Sequence, residues 1–116
     1  MELYFYFLEK TGIRCEECDV IEKPKTYYPA NRFPDGIYTA FFRKDEVDRI
    51  RCCYGRTYII LTEMNKERAA EAFTADCNYE ISCRENKIRV ANEEIQELKE
   101  TVSMIEQWRA GDGNEQ

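Results

Sequence analysis

The chain of 116 residues contains no histidine. Without an imidazole, the sequence has no histidine base, no Ser–His or Cys–His nucleophile pair and no histidine metal ligand. The five glycines are scattered, so the sequence contains no glycine-rich phosphate loop. Carboxylates are plentiful, but their spacing indicates solvation rather than acid–base catalysis. The sequence therefore predicts a protein that is not an enzyme and that uses no cofactor.

Long apolar runs are also missing from the sequence. No stretch approaches the roughly 20 apolar residues needed to span a bilayer, and no small-residue cleavage site follows the N-terminal run MELYFYFLEK. We therefore expect a cytoplasmic protein with no membrane partner. Disulfides are rare in that compartment, so the six cysteines are interpreted as small hydrophobic side chains, metal ligands or reactive thiols. The net charge of −6 argues against general binding to the nucleic acid backbone, because the phosphates require a basic surface.

The first half of the chain has the patterns of a small β-sheet. In residues 2–9, Leu3, Phe5 and Phe7 would lie on one side of a strand, and Tyr4, Tyr6 and Leu8 on the other. Residues 10–12 predict a turn and residues 13–22 a second strand. Pro24 ends that strand, because proline cannot donate to a ladder. The hydrophobic content of 43% is typical of one folded domain.

The next segment predicts a proline-rich loop and further strands. Residues 24–36 contain all three prolines and end in the turn signal Pro34-Asp35-Gly36. We predict a third strand at Ile37–Phe42 and a final strand at Thr57–Thr62, while residues 43–53 fit either a helical turn or a strand. Residues 1–64 are thus predicted to form an antiparallel sheet of about three to five strands.

The second half predicts one long helix, which makes the fold class α+β. Asn65 is a candidate N-cap, and the chain has neither glycine nor proline from there to Ala110. We therefore expect a helix over residues 65–110, followed by a disordered tail at residues 111–116. The first part of this helix is predicted to pack on the sheet through residues spaced by three and four, namely Ala70, Phe73, Cys77 and Ile81.

The later part of the predicted helix carries a heptad pattern. Ile88, Ile95 and Val102 occupy one heptad position, and Ala91, Leu98 and Ile105 its partner, with Glu94 and Lys99 at the flanks. β-Branched residues at the first position favour a two-stranded parallel coiled coil. Residues 88–109 therefore predict a homodimer whose contacts are Ile88, Ile95, Leu98, Val102 and Ile105. The alternative is that this segment folds back on the domain.

The stretch Cys15-Glu-Glu-Cys18 is similar in spacing to half of a zinc site. A zinc knuckle needs both thiolates on one side of a tight turn, whereas an offset of three in a strand places them on opposite faces. Cys52 and Cys53 are adjacent, and Cys77 and Cys83 would lie about 120° apart on a helix. We therefore predict a strand at residues 13–22 and no metal site.

Three features of the sequence are candidates for partner binding. The acidic residues Glu93, Glu94, Glu97 and Glu100 could imitate a phosphate backbone. The loop aromatics Tyr27, Tyr28 and Phe33 are residue types that anchor interfaces, although they could instead cap the open end of the sheet. The bases in residues 43–56 could contact phosphates, or they could form ordinary ion pairs with the acids between them.

The segment from Phe5 to Val47, together with TYIILTEMN at residues 57–65, resembles small proteins of prophages and mobile elements in Firmicutes. The shared features are a β-hairpin start, a KPKTY loop, an FPDG turn and a charged C-terminal helix. Small acidic proteins of such elements are similar to inhibitors of bacterial immunity, including anti-CRISPR proteins, which occlude the nucleic-acid-binding surfaces of nucleases. The resemblance implies a phage-encoded inhibitor whose partner is a bacterial defence protein such as Cas9. The alternatives are a dimeric structural or regulatory phage protein, and a nucleic-acid-binding module.

Overall fold

In a computed structural model that describes residues 1–111, six antiparallel strands are followed by one long helix. The strands are β1 Glu2–Glu9, β2 Gly12–Glu22, β3 Thr26–Pro29, β4 Phe42–Arg43, β5 Arg51–Cys53 and β6 Arg56–Leu61, and the helix is α1 Lys66–Ala110. Their order in the sheet is β4-β3-β2-β1-β6-β5. The α+β class is confirmed, but the six strands exceed the predicted number of about three to five. Except for Gly111, the predicted disordered tail lies outside the described residues.

The hairpin of β1 and β2 forms as the sequence predicts. Its register runs from Glu2 opposite Asp19 to Glu9 opposite Gly12, with the turn at residues 10 and 11. β1 also pairs with β6, so β1 lies in the interior of the sheet. Because successive side chains of a strand point to opposite faces, the aromatic residues of β1 pack on both faces of the sheet.

The predicted third strand at Ile37–Phe42 is wrong. β3 lies earlier, inside the predicted loop, because Lys23 N–H donates to the Thr26 carbonyl (2.9 Å) and turns the chain back along the end of β2. Pro29 is tolerated because it is the last residue of this short strand. Only Phe42 of the predicted segment belongs to a strand, while Ile37 follows the Pro34–Gly36 turn and is buried.

The ambiguous segment at residues 43–53 contains both predicted elements. Lys44–Glu46 form one turn of 3-10 helix, and Arg51–Cys53 form edge strand β5. Gly36 has a φ of 93°, as the turn signal requires, and a Cβ at this position would collide with the Arg56 side chain. The final strand was predicted at Thr57–Thr62 and occurs at Arg56–Leu61.

One face of the sheet carries an aromatic core. Phe5 is fully buried there, and its ring centroid lies 5.9 Å from those of Phe33 and Phe42. The loop between β3 and β4 supplies Phe33 and Ile37, so this loop covers the sheet face. The buried members of this core are Leu3, Phe5, Phe7, Cys18, Val20, Tyr27, Phe33, Ile37, Phe42, Tyr58 and Ile60.

The opposite face is covered by the start of α1. Tyr6, Ile59 and Leu61 pack there against the helix residues Ala69, Ala72 and Phe73. The predicted N-cap is confirmed, since Arg68 N–H donates to Asn65 Oδ1 (3.0 Å). Asn65 N–H in turn donates to the Tyr6 hydroxyl (3.0 Å), which ties the helix start to the sheet.

The prediction of which α1 residues pack on the sheet is partly wrong. Phe73 is buried, but Ala70 is only half-buried, and Cys77 and Ile81 are exposed. Ala69 and Ala72 replace them as the packing residues, and Phe73 is the last buried residue in α1. The chain divides into two compact units, Met1–Cys77 and the part from Asn78 onward. None of the helical structure in residues 1–111 combines the length and hydropathy needed to traverse a bilayer.

Candidate interaction surfaces

The later part of α1 carries a row of exposed aliphatic side chains, which we call the α1 seam. Its members and their exposed fractions are Ile88 (61%), Ile95 (49%), Leu98 (66%), Val102 (55%) and Ile105 (50%). Their spacings of seven, three, four and three residues place them along one side of the helix. The helical geometry thus brings together the five predicted dimerisation residues, while dimerisation itself stays a prediction.

The charged side chains of this part of α1 differ in their partners. On the side opposite the seam, Arg89 donates to Glu93 (2.8 Å) across one turn of the helix. Glu94 and Lys99, which flank the seam, have no ion pair among the described residues. These two charges are therefore free to pair with another chain.

The predicted acidic contacts fall into two groups. Glu93, Glu97 and Glu100 are exposed and follow one another at intervals of four and three, so they share a face that we call the acidic ridge. Glu94 lies about 100° around the helix from Glu93 and belongs to the flank of the seam. Glu93 is partly neutralised by Arg89, and Glu100 accepts from Gln96 Nε2 (3.3 Å).

The three aromatic residues of the predicted loop contribute mainly to the core of the first unit, and two of them, Tyr27 and Tyr28, lie in strand β3. Tyr27 and Phe33 are only 5% and 6% exposed. Tyr28 is half-buried, and its ring is stacked on that of Phe41 at 5.3 Å. Phe33 caps the sheet face, which is the alternative that the sequence left open, whereas a role of these residues as partner anchors stays a prediction.

The most exposed aromatic pair in this unit is one that the sequence does not predict. Tyr38 and Tyr54 are 72% and 81% exposed, and their rings meet edge to face at 5.2 Å. Tyr54 has a φ of 48°, which is uncommon for a residue other than glycine. The only signal in the sequence is the turn predicted at residues 54–56, and that signal does not place Tyr38 beside it.

The basic stretch at residues 43–56 is largely occupied by contacts within the chain. Arg51 bonds to Glu46 (2.7 Å), Lys44 to Glu22 (2.5 Å), and Arg56 donates to the carbonyl of Asp35 (2.8 Å). Arg43 contacts Asp45 (3.3 Å). The stretch therefore offers less free positive charge to a nucleic acid than its sequence indicates.

Cys15 and Cys18 lie in strand β2, which confirms the predicted strand. Cys18 joins the aromatic core, while Cys15 stands opposite Tyr6 and so points to the other face. Burial raises the pKa of the Cys18 thiol, and nearby carboxylates raise it further. Partial desolvation also raises the pKa of the Cys15 thiol, against a hydrogen bond with Tyr6 that lowers it. Within residues 1–111, no three Cys, Asp or Glu side chains are grouped closely enough to hold a metal ion.

No protein-family model, no curated protein and no solved structure matches the chain.

Proposed function

We propose that this chain is a non-enzymatic binding protein that functions as a homodimer joined through the α1 seam. The observation that carries the proposal is the exposure of five aliphatic side chains at heptad spacing. The rest of this part of the helix is mainly polar, although Val90, Met104 and Trp108 are also exposed. Burying half of an aliphatic side chain contributes about 1 kcal/mol. Ten such side chains in a dimer would supply about 10 kcal/mol. An association cost of at least about 4 kcal/mol leaves about 6 kcal/mol, which corresponds to a dissociation constant of tens of micromolar.

The acidic ridge supports a second part of the proposal, which concerns the partner. Its carboxylates lie at heptad positions that point away from a coiled-coil seam, so a dimer would present two ridges to other molecules. Rows of carboxylates complement basic grooves. We assign the partner to the class of defence nucleases that the sequence resemblance implies, such as a CRISPR effector in the cytoplasm of the bacterial host.

Sedimentation equilibrium of the wild type, Leu98→Asp and Gln96→Asp tests the dimer. Leu98 is 66% exposed in the single chain, and each dimer would bury two copies of it. The substitution removes about 1.5 kcal/mol of apolar burial per copy and places a carboxylate in the seam at a further cost of about 1–3 kcal/mol. Leu98→Asp should therefore weaken dimerisation by at least about 1,000-fold.

Gln96→Asp is the matched control, because it introduces the same residue into the same helix at an exposed position outside the seam. It should change the dimer dissociation constant by less than about threefold, and far-ultraviolet circular dichroism should show that both variants fold. A wild type that remains a monomer at 100 µM would refute the homodimer. Equal weakening by both substitutions would refute the assignment of the contact to the seam.

A further inference from the structure

We infer that the two α1 helices associate in parallel and in register, with Glu94 of each chain paired with Lys99 of the other. This inference rests on the proposed homodimer and adds its orientation. The observation behind it is that these two opposite charges flank the α1 seam and have no ion pair within the described residues. A charge on a seam flank is the feature that selects partner orientation in coiled coils.

Heptad geometry brings these two residues together only between chains. Glu94 immediately precedes Ile95 at the first seam position, and Lys99 immediately follows Leu98 at the second. In a parallel, in-register pair, the residue before a first position lies beside the residue after the next second position of the other helix. Two-fold symmetry then gives two Glu94–Lys99 pairs per dimer. Within one helix the two side chains are five residues apart, and they do not face each other.

An antiparallel pair gives no corresponding attraction within residues 88–109. The alignment with the most apolar layers sets Ile95 against Leu98 and Ile88 against Ile105. In that alignment, residues that precede the seam meet one another, as do residues that follow it. Glu94 would then face Thr101, and Lys99 would face Asn92, so neither charge would find an opposite charge.

The core positions favour the same orientation. A parallel, in-register pair stacks Ile88, Ile95 and Val102 on their own copies, and each of them is β-branched. β-Branched residues at this position favour two-stranded parallel coils. The charge flanks and the apolar seam therefore agree on one arrangement.

A charge-reversal cycle tests this orientation with the full-length chain. The dimer dissociation constants of the wild type, Glu94→Lys, Lys99→Glu and the double variant are measured by sedimentation at low salt. Each single reversal replaces two attractions with two repulsions and should weaken the dimer about tenfold. The double variant restores both pairs with reversed signs, so its dissociation constant should return to within about threefold of the wild-type value. Salt at 1 M should remove most of these differences.

Glu97→Lys is the control for the change in net charge, because Glu97 is exposed, lies on the acidic ridge and has no ion pair in the described residues. It should leave the dissociation constant within about threefold of the wild type. If the wild type dimerises but the double variant has a dissociation constant as high as those of the single variants, the parallel orientation is overturned and the homodimer stands. A monomeric wild type would overturn the homodimer itself, so the two failures can be distinguished.

Discussion

Replacing Phe33 with alanine distinguishes a core residue from a partner anchor. The Phe33 side chain is 6% exposed, and its ring lies 5.0 Å from Phe42 and 5.9 Å from Phe5. If the loop between β3 and β4 closes the sheet face as the contacts indicate, the substitution opens a cavity in the aromatic core. We therefore expect a loss of folding stability in the isolated protein, before any partner is added.

The magnitude follows from the burial of the ring. Truncation of a buried Phe to Ala costs about 3–5 kcal/mol, since lost transfer energy and an unfilled cavity add together. A chain of this length has a free energy of unfolding of about 6–17 kcal/mol. Phe33→Ala should therefore remain folded in buffer. Its urea midpoint should fall by about 2 M, for a dependence of about 2 kcal/mol per M.

Urea unfolding at one fixed protein concentration, followed by circular dichroism, measures this loss. Tyr38→Ala is the matched control, because Tyr38 is an aromatic residue of the same loop and is 72% exposed. It should change the free energy of unfolding by only about 1 kcal/mol, because it loses the exposed contact with Tyr54 and opens no buried cavity. A loss below about 1 kcal/mol for Phe33→Ala would refute the closure of the sheet face by this loop.

Two further predictions concern the thiols and the acidic ridge. Cys18 is 5% exposed, and burial raises its pKa. Iodoacetamide at pH 8 should therefore modify the exposed Cys52 first and Cys18 only in urea, as measured by peptide mass spectrometry. Equal rates of modification at the two thiols would contradict the burial of Cys18. The folded state keeps the Cys18 thiol protonated, so the stability it contributes is present below the ordinary thiol pKa and is lost as the pH rises through the raised pKa. If the ridge binds Cas9, the wild type should inhibit DNA cleavage by purified Cas9 at near-equal stoichiometry. Replacing its three glutamates with glutamine should weaken inhibition at least about tenfold, while the same change at Glu63, Glu67 and Glu71 should not; absence of inhibition by the wild type would exclude Cas9.

The parts of the fold that the sequence predicts are those that local patterns determine. The alternation in residues 2–9 identifies β1, the turn at residues 10–12 identifies the hairpin, and Asn65 identifies the start of α1. In each case a few neighbouring residues are sufficient. Strand β3 is not determined locally, because its four residues form a strand by pairing with the end of β2 and with β4, which lies farther along the chain. A proline-rich composition predicts a loop instead, because proline is tolerated in a strand only at positions such as the end of β3, where Pro29 lies.

The candidate surfaces show the same limit. The heptad spacing predicts which residues of α1 share a face, because a continuous helix fixes the angle between them. It does not predict that Ala69 and Ala72, rather than Cys77, face the sheet, since that depends on how the capped helix start meets Tyr6. Likewise, Phe33 and Tyr38 belong to one loop and are both aromatic, yet tertiary packing buries the first and exposes the second.

The two units differ in how far they bury their apolar side chains, and this difference favours a partner for α1. In the first unit, the sheet buries its aromatic residues between the covering loop and the start of the helix. From Asn78 onward, α1 buries no described side chain, and its internal support includes ion pairs such as Arg84–Glu80 and Arg89–Glu93. Such pairs stabilise a helix by only about 0.2–0.5 kcal/mol each. Since most helical stability in proteins comes from packing an apolar face, the α1 seam is the surface that the second copy in the proposed homodimer would cover.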